Sequence, residues 1–329
     1  MLLSEKKVLV TGGLGFIGSN LVIRCLEEGG AVTILDNLDP NCGGNLKNIE
    51  EVKSDVDLVL GDLTDYATVL RQISSKDLVF NCAASISHSM SMQEPWNNLD
   101  VNTRGVLNIL EALKRVNRDA RFIHLGTTTQ LGRMTTEIAD EDHSEFPLDV
   151  YSANKVASEK YALIYKNAYD LDVQVIRLSN IYGPRAAIHT PHLTFNNYFV
   201  GLALQAKPIT VYAPGTQMRN LLYVDDAVDA LLIAAKTDNV DGNRPVYFAT
   251  SNDHYSVREI AEKISQIIGG SVDYIDPPTK LEAITIGDFI VSNKKIMSKL
   301  GWNPKIDLVD GLKRTKDFFS SRLPDYLPE

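Results

Sequence analysis

Val8 to Thr11 is a short apolar, β-branched run that leads into a glycine turn, and from Phe16 to Glu28 the apolar residues recur at helical spacing. Gly29-Gly30 ends that helix. Ala31 to Leu35 reads as a second strand, so the chain opens as a βαβ unit with short connections. Buried-strand patterns follow at Leu58 to Leu60, Leu78 to Cys82, Phe122 to Leu125 and Val173 to Leu178. Helical patterns separate them at about Tyr66 to Ile73, Trp96 to Val116 and Ser152 to Asn167. Strands alternating with helices predict a doubly wound parallel sheet, because parallel neighbours need crossovers that cover both faces. In such sheets ligands sit at the carboxyl ends of the strands.

After Gly183-Pro184 the pattern becomes irregular, through Pro191, Pro208 and Pro214, before a helix near Asp225 to Lys236. A chain of 329 residues exceeds the usual single core, so a smaller α/β lobe is expected beside the main sheet. Residues 1–183 plus 222–250 are assigned to the sheet domain, and 184–221 plus 251–329 to the lobe. The run Leu323 to Glu329 reads as a surface tail.

Composition narrows the class. Hydrophobic residues at 44% and charged residues at 23% are ordinary globular usage. A net charge of -9 repels a phosphate backbone, which argues against nucleic acid as the partner. Cys25, Cys42 and Cys82 are too few and too dispersed for a disulfide framework or a zinc motif, so a reducing compartment and no metal are expected. With no apolar stretch of signal-peptide or membrane-spanning length, the expectation is a cytoplasmic protein without a membrane partner.

Gly13, Gly15 and Gly18 satisfy G-x-G-x-x-G between a strand and a helix. That spacing serves a tight turn, close approach of backbone to a pyrophosphate, and helix-on-strand packing, with N–H groups at the helix start facing the anion. Asp36, at the end of the second strand, suits the two ribose hydroxyls of NAD and would repel a 2′-phosphate. NAD is therefore expected over NADP. Asp62, after the third strand in Gly61-Asp62-Leu63, is a candidate for the adenine amino group or, equally, a turn cap.

Among thirteen tyrosines only Tyr151 has a lysine four residues later, Lys155, at a plausible helix start. Spacing i,i+4 places both on one face. An ammonium and a cationic nicotinamide nearby would lower the phenol's pKa toward neutrality and make it a base for a sugar hydroxyl. Thr127-Thr128-Thr129, after the strand Phe122 to Leu125, places hydroxyls near the same cofactor edge.

Together these residues resemble the extended short-chain dehydrogenase/reductase family, in its nucleotide-sugar epimerase and dehydratase branch. The resemblance covers nearly the whole chain. TGGLGFIG at 11 to 18 looks like the family's opening signature, Asn81-Cys82-Ala83-Ala84 resembles its segment beneath the cofactor, and Asn102 falls in a family-like Val-Asn-Thr helix entry. Arg177-Leu178-Ser179-Asn180-Ile181-Tyr182-Gly183-Pro184 resembles a passage whose asparagine contacts the sugar nucleotide. Arg219, ahead of Tyr223-Val224-Asp225-Asp226, looks like an arginine held against the nucleotide's phosphates, and Leu300-Gly301-Trp302-Asn303-Pro304 resembles a C-terminal family motif.

The resemblance implies a Rossmann-type NAD-binding domain and a nucleotide-sugar-binding lobe. It implies Thr127, Tyr151 and Lys155 as the catalytic set, with Thr127 positioning the reacting hydroxyl and Lys155 holding the nicotinamide ribose. The expected NAD contacts are Gly12, Gly15, Phe16, Ile17, Gly18, Asp36, Asn37, Asp62, Leu63, Ala83, Ala84, Asn102, Tyr151 and Lys155. Substrate candidates are Ser87, His88, Thr128, Asn180, Arg185, Asn197 and Arg219. For Ser87, His88, Arg185 and Asn197, plain structural roles as helix caps, a loop histidine and a surface charge are equally open.

Dehydratases and uronate decarboxylases of the family usually carry acids just after the catalytic Ser or Thr; here those positions are Thr128 and Thr129. An epimerase with internally recycled NAD, inverting C4 of a nucleotide-diphosphate sugar, is therefore the favoured reading. Alternatives are a dehydratase, decarboxylase or keto-sugar reductase of the same family, and a non-catalytic NAD-binding regulator. Two features depart from the family: Leu131-Gly132 stands where Tyr-Gly is common, and Gly287-Asp288-Phe289 replaces an arginine-containing turn. A homodimer is expected, with Val106, Leu110 and Leu113 as a helix seam or, more plainly, as core.

Overall fold

The computed structural model describes residues 3–238, 241–242, 244–277 and 287–327. β1 (Lys7–Thr11) enters the glycine turn and α1 (Phe16–Glu27) leaves it for β2 (Ala31–Asp36). β3 (Asp57–Leu60), α2 (Tyr66–Ile73) and β4 (Leu78–Asn81) continue the alternation. α3 (His88–Gln93), α4 (Pro95–Leu99) and α5 (Gly105–Val116) precede β5 (Arg121–Thr127), which α6 (Val150–Tyr169) joins to β6 (Val173–Leu178). The expected strands are present, with ends within two residues of those read from the sequence.

The stretch that reads as irregular holds β7 (Asn180–Tyr182), α7 (Phe195–Leu204), β8 (Ile209–Tyr212) and β9 (Met218–Tyr223). α8 (Val224–Lys236) and β10 (Val246–Ala249) follow. β11 (His254–Ser256), α9 (Val257–Ile267), β12 (Val272–Ile275), α10 (Lys294–Leu300) and α11 (Leu308–Ser320) complete the order.

The main sheet runs β3-β2-β1-β4-β5-β6-β10, all parallel. Alternate side chains of a strand face opposite sides, and β1 shows it: Val8 and Val10 join a core with Leu21 of α1 and Leu231 of α8, while Leu9 joins one with Val69 of α2 and Leu110 of α5. Strand order reverses between β1 and β4, and that switch point is where a doubly wound sheet opens a crevice. A three-stranded sheet, β11-β9-β7, and a β12-β8 pair lie outside it. Trp302 is buried there, donating Nε1–H to Asp226 O at 3.0 Å, so the Leu300-to-Pro304 motif docks on the start of α8.

Three expectations change. Trp96 to Val116 is not one regular helix, because Asp100–Arg104 widen into a π-helical turn. Asn102 explains the detour: its amide accepts from Ser85 N at 3.1 Å and donates to Ser85 O at 2.8 Å. Val106, Leu110 and Leu113 are buried within the chain against α2, so they form core and no seam. The expected surface tail is anchored, since Tyr326 packs edge-on to Phe319 and is buried, while Pro328 and Glu329 lie outside the described residues. Among the described residues no helix is long and apolar enough to cross a membrane.

Candidate active site

The glycine turn and the end of β4 meet at the switch point. A Cβ on Gly12, whose φ is 68°, would lie 2.6 Å from Ala83 N, and one on Gly18 would lie 2.1 Å from Gly12 O. Only hydrogen fits at these two positions, which brings α1 hard against the turn and directs its N-terminus at the cleft. Gly12, Gly15, Asp36, Asn37, Asp62, Leu63, Ala83 and Ala84 line that cleft, as expected of the cofactor set. Phe16, Ile17 and Gly18 form the first turn of α1 behind it, and Asn102 fixes Ser85 just beyond Ala84. Asp39, Cys42, Gly44 and Val101 also line the cleft and were not anticipated; the loop after β2 carried no periodic signal.

Asp36 closes the turn from the side. Its Oδ2 accepts from Leu14 N at 2.9 Å and its Oδ1 from Leu38 N at 2.8 Å, leaving each oxygen a second lone pair for a diol. Burial raises its pKa, and those two bonds oppose the rise. Asp62 accepts from Asn37 Nδ2 at 2.8 Å and Thr64 N at 2.8 Å. Burial pushes its pKa up, but the Thr64 and Asn37 bonds and the Arg104 charge outweigh it and hold it below the ordinary value. A turn without Cβ atoms, N–H groups at a helix start and a carboxylate with spare lone pairs at the end of β2 fit NAD.

Asp149 starts α6 by accepting Ser152 N–H at 2.8 Å, which sets Tyr151 and Lys155 on the helix face toward the ends of β4 and β5. Thr127 stands close enough to the Tyr151 phenol to lower its pKa, and Lys155 Nζ donates to Leu125 O at 2.5 Å. The Lys155 charge also reaches Cys82, a lining residue of the cleft. Burial brings the Lys155 pKa down to about 8, with Glu159 and Cys82 opposing.

The phenol departs from the expectation. Burial raises the Tyr151 pKa well above its ordinary value, Thr127 opposes the rise, and Asp149 adds to it. Lys155 directs its ammonium into the Leu125 carbonyl, so the lysine alone does not produce a phenolate.

The substrate candidates divide. His88 comes to the catalytic pair: its ring stands edge-on to Tyr151 with centroids 5.0 Å apart. Asn180, donating to Asn220 O at 3.1 Å, lies at the carboxyl end of β6, on the same rim of the sheet as Thr127. Ser87 caps α3 by accepting Met90 N–H. Thr128 is buried and gives its hydroxyl to Leu178 O, so it turns away from Tyr151. Arg185 is occupied by Asn48 O, Asn20 Oδ1 and Glu51, and Asn197 donates to Ile181 O and Thr194 Oγ1; both are committed to holding neighbouring segments. Arg219 Nη1 donates to Met218 O and Gly287 O, and Asp288 accepts Met218 N–H, so the departing turn at 287–289 packs on the arginine's own strand. Leu131 is fully buried beside Phe248, filling apolar space.

The model of the NAD dependent epimerase/dehydratase family matches residues 8–248. A UDP-glucose 4-epimerase from Mycolicibacterium smegmatis is 30% identical over 96% of this chain and 99% of its own. A UDP-N-acetyl-alpha-D-glucosaminuronate decarboxylase from Bacillus cytotoxicus is 29% identical over 96% of this chain and 98% of its own. The crystal structure of the UDP-glucose 4-epimerase of Thermus thermophilus in complex with NAD superimposes with a TM-score of 0.84 at 28% identity, covering 96% of this chain and 99% of that one. With a family model matched over 8–248 and a relative 30% identical over nearly its whole length, the chain belongs to the NAD-dependent epimerase/dehydratase family.

Proposed function

We propose that this chain is a nucleotide-sugar epimerase that inverts one carbon, C4, of a nucleotide-diphosphate sugar through a transient keto-sugar. Bound NAD supplies a reversible hydride acceptor, so no net redox change occurs. Backbone N–H groups of the glycine turn hold the pyrophosphate, Asp36 the adenosine ribose, and Asp62 with Leu63 the adenine side. Ala83, Ala84 and Asn102 shape the floor of the cleft. Lys155 holds the second ribose, and Thr127 keeps the sugar hydroxyl and the Tyr151 phenol in line. Tyr151 takes the hydroxyl proton and returns it after the keto-sugar has presented its other face. Because burial opposes the phenolate, the positive charge of the bound nicotinamide has to favour it. Asn180, Arg219 and His88 are the proposed substrate contacts.

The observation that carries this reading is Tyr151 and Lys155 one turn apart on α6 with Thr127 close enough to lower the phenol's pKa, and hydroxyls alone at the two positions after Thr127. Thr129 bonds to Thr127 at 3.0 Å and Thr128 to Leu178 O, so neither position offers the carboxylic acid that elimination or decarboxylation in the family employs there. The three thiols fit a cytoplasmic enzyme. A homodimer would cover the exposed Trp96, Leu99 and Ile164, and light scattering at micromolar concentration checks it.

The test is turnover of UDP-, dTDP-, GDP- and CDP-linked glucose and galactose with NAD below stoichiometry. Interconversion of a C4 pair at constant mass is expected, with Tyr151→Phe at least 100-fold slower. Full activity in Tyr151→Phe, or a product lighter by water, overturns the reading.

A further inference from the structure

Three polar side chains stand in register across the main sheet, at the ends of β1 and β4 where the crevice opens. Thr11 of β1 lies opposite Asn81 of β4, Asn81 lies opposite His124 of β5, and all three are buried. They alternate with Val10, Phe80 and Ile123 and so share the sheet face of Leu9, Val79 and Phe122, which packs against α5 and α6.

A buried polar row has to pair its donors with its acceptors, and this one does so in a single direction. Thr11 Oγ1 accepts Ala83 N–H at 3.4 Å and donates to Asn81 Oδ1 at 2.7 Å, which leaves Asn81 Nδ2 to donate to His124 Nδ1 at 3.1 Å. Burial holds the His124 pKa well below its ordinary value and the Lys155 charge adds to the drop, so the ring is neutral with its one hydrogen on Nε2. The other end agrees. Ser158 Oγ, 3.3 Å from Nε2, gives its own hydrogen to Lys155 O at 3.0 Å and therefore accepts that of the ring.

Lys155 is thereby tied to β5 twice. Its Nζ donates to Leu125 O at 2.5 Å, and its main chain is reached through Ser158 by His124, the residue before Leu125. At its far end the row stops at Ala83, which lines the NAD cleft and against which Gly12 is packed. His124 thus joins the floor of the cleft to the turn of α6 that carries Lys155. A flexible four-carbon stem delivers its ammonium to a fixed point only if the turn beneath it is held.

We propose that His124 is a positioning residue for the cofactor, whose Nε2–H, through Ser158, seats the turn of α6 so that the Lys155 ammonium meets the nicotinamide ribose. Buried beneath the site, it acts through Ser158 and Lys155. The inference rests on the role proposed above for Lys155.

Glutamine and asparagine reproduce different halves of the imidazole. His124→Gln keeps an N–H near the place of Nε2 and gives up the acceptor for Asn81, whereas His124→Asn keeps that acceptor and gives up the donor to Ser158. Each leaves a buried polar group short of a partner, so both should melt lower than the parent and melting does not separate them. Affinity for NADH, titrated by nicotinamide fluorescence, does. His124→Asn and Ser158→Ala should weaken NADH at least fivefold, His124→Gln less than twofold, and Lys155→Met at least as much as His124→Asn. For a nucleotide sugar that inverts, kcat should fall at least fivefold in His124→Asn and Ser158→Ala with KM for the sugar unchanged, and recover in His124→Gln. Equal losses of NADH affinity in His124→Gln and His124→Asn overturn the proposal, because the row then serves packing alone. Parental affinity in Ser158→Ala or in Lys155→Met overturns it as well. Turnover of none of the nucleotide sugars overturns the epimerase reading alone, and the NADH affinities then decide for or against His124.

Discussion

The Tyr326 hydroxyl donates to Asn48 Oδ1 at 2.8 Å, joining the end of the fold to the segment behind the cofactor cleft. Asn48 in turn donates to Leu14 O at 2.9 Å, inside the glycine turn, and Asn45 N reaches the same carbonyl at 3.0 Å. Arg185 Nε, which donates to Asn48 O, closes the bracket from the other side. Tyr326→Phe removes one buried bond, about 1 kcal/mol. Melting should fall by a few degrees, and calorimetry should show NAD binding weakened severalfold. Unchanged NAD affinity with a lowered melting temperature would mean that the contact serves packing alone.

Two glycines of the turn should separate folding from binding. A Cβ at Gly18 meets Gly12 O at 2.1 Å, whereas one at Gly15 meets that atom at 3.3 Å. Gly18→Ala forces the turn open, so both the melting temperature and NAD affinity should drop, the latter at least tenfold. Gly15→Ala is accommodated by the protein but occupies the surface that faces the cleft, so affinity should fall while melting changes little. Equal losses of stability in the two variants would contradict this.

The features legible in the sequence are local ones. The β1 turn, Asp36 eighteen residues after Gly18, and Lys155 four after Tyr151 each rest on a spacing that a strand or helix converts directly into geometry. What escaped depends on distant partners. The π-turn at Asp100–Arg104 exists because Asn102 clasps Ser85, and His88 meets Asp149 across 61 positions. Thr128 and Arg185 were placed by residue type, but Leu178 O and Asn48 O claim them. Among the described residues β8 and β12 pair with each other and lie outside the parallel sheet, so they belong to none of the strand–helix alternation that the sequence displays.

Arg177 is fully buried and bonds Glu159 through Nε and Nη2, with Glu145 as a further partner. Glu159 also accepts from Gln130 Nε2 at 3.2 Å, and Gln130 Oε1 accepts Thr127 N–H at 3.1 Å, so the ion pair reaches the catalytic threonine. Arg177→Met strands a buried carboxylate, at a cost of about 3–5 kcal/mol. The double variant Arg177→Met with Glu159→Leu should recover part of that stability in urea titration but not the turnover number, because Gln130 then loses its partner. Recovery of turnover along with stability would show that the network does not position Thr127.

Lys155 makes the pH dependence of stability testable. Its folded pKa of about 8 lies below the ordinary 10.5, so below pH 8 both states are protonated and the folded state bears the full cost of a buried ammonium. Between pH 8 and 10.5 the unfolded chain holds more protons, so this residue's contribution to stability improves as pH rises. Above 10.5 both states are neutral and the cost is gone. Lys155→Met removes the charge and the bond to Leu125 O together. A shift of this size corresponds to about 3 kcal/mol, less about 1 kcal/mol for the lost bond. Without added NAD, the variant should melt above the parent at pH 7, and the gap should close as pH approaches 10.5. A gap that stays constant across that window would place the Lys155 ammonium in a solvated setting and remove burial as the cause of its depressed pKa.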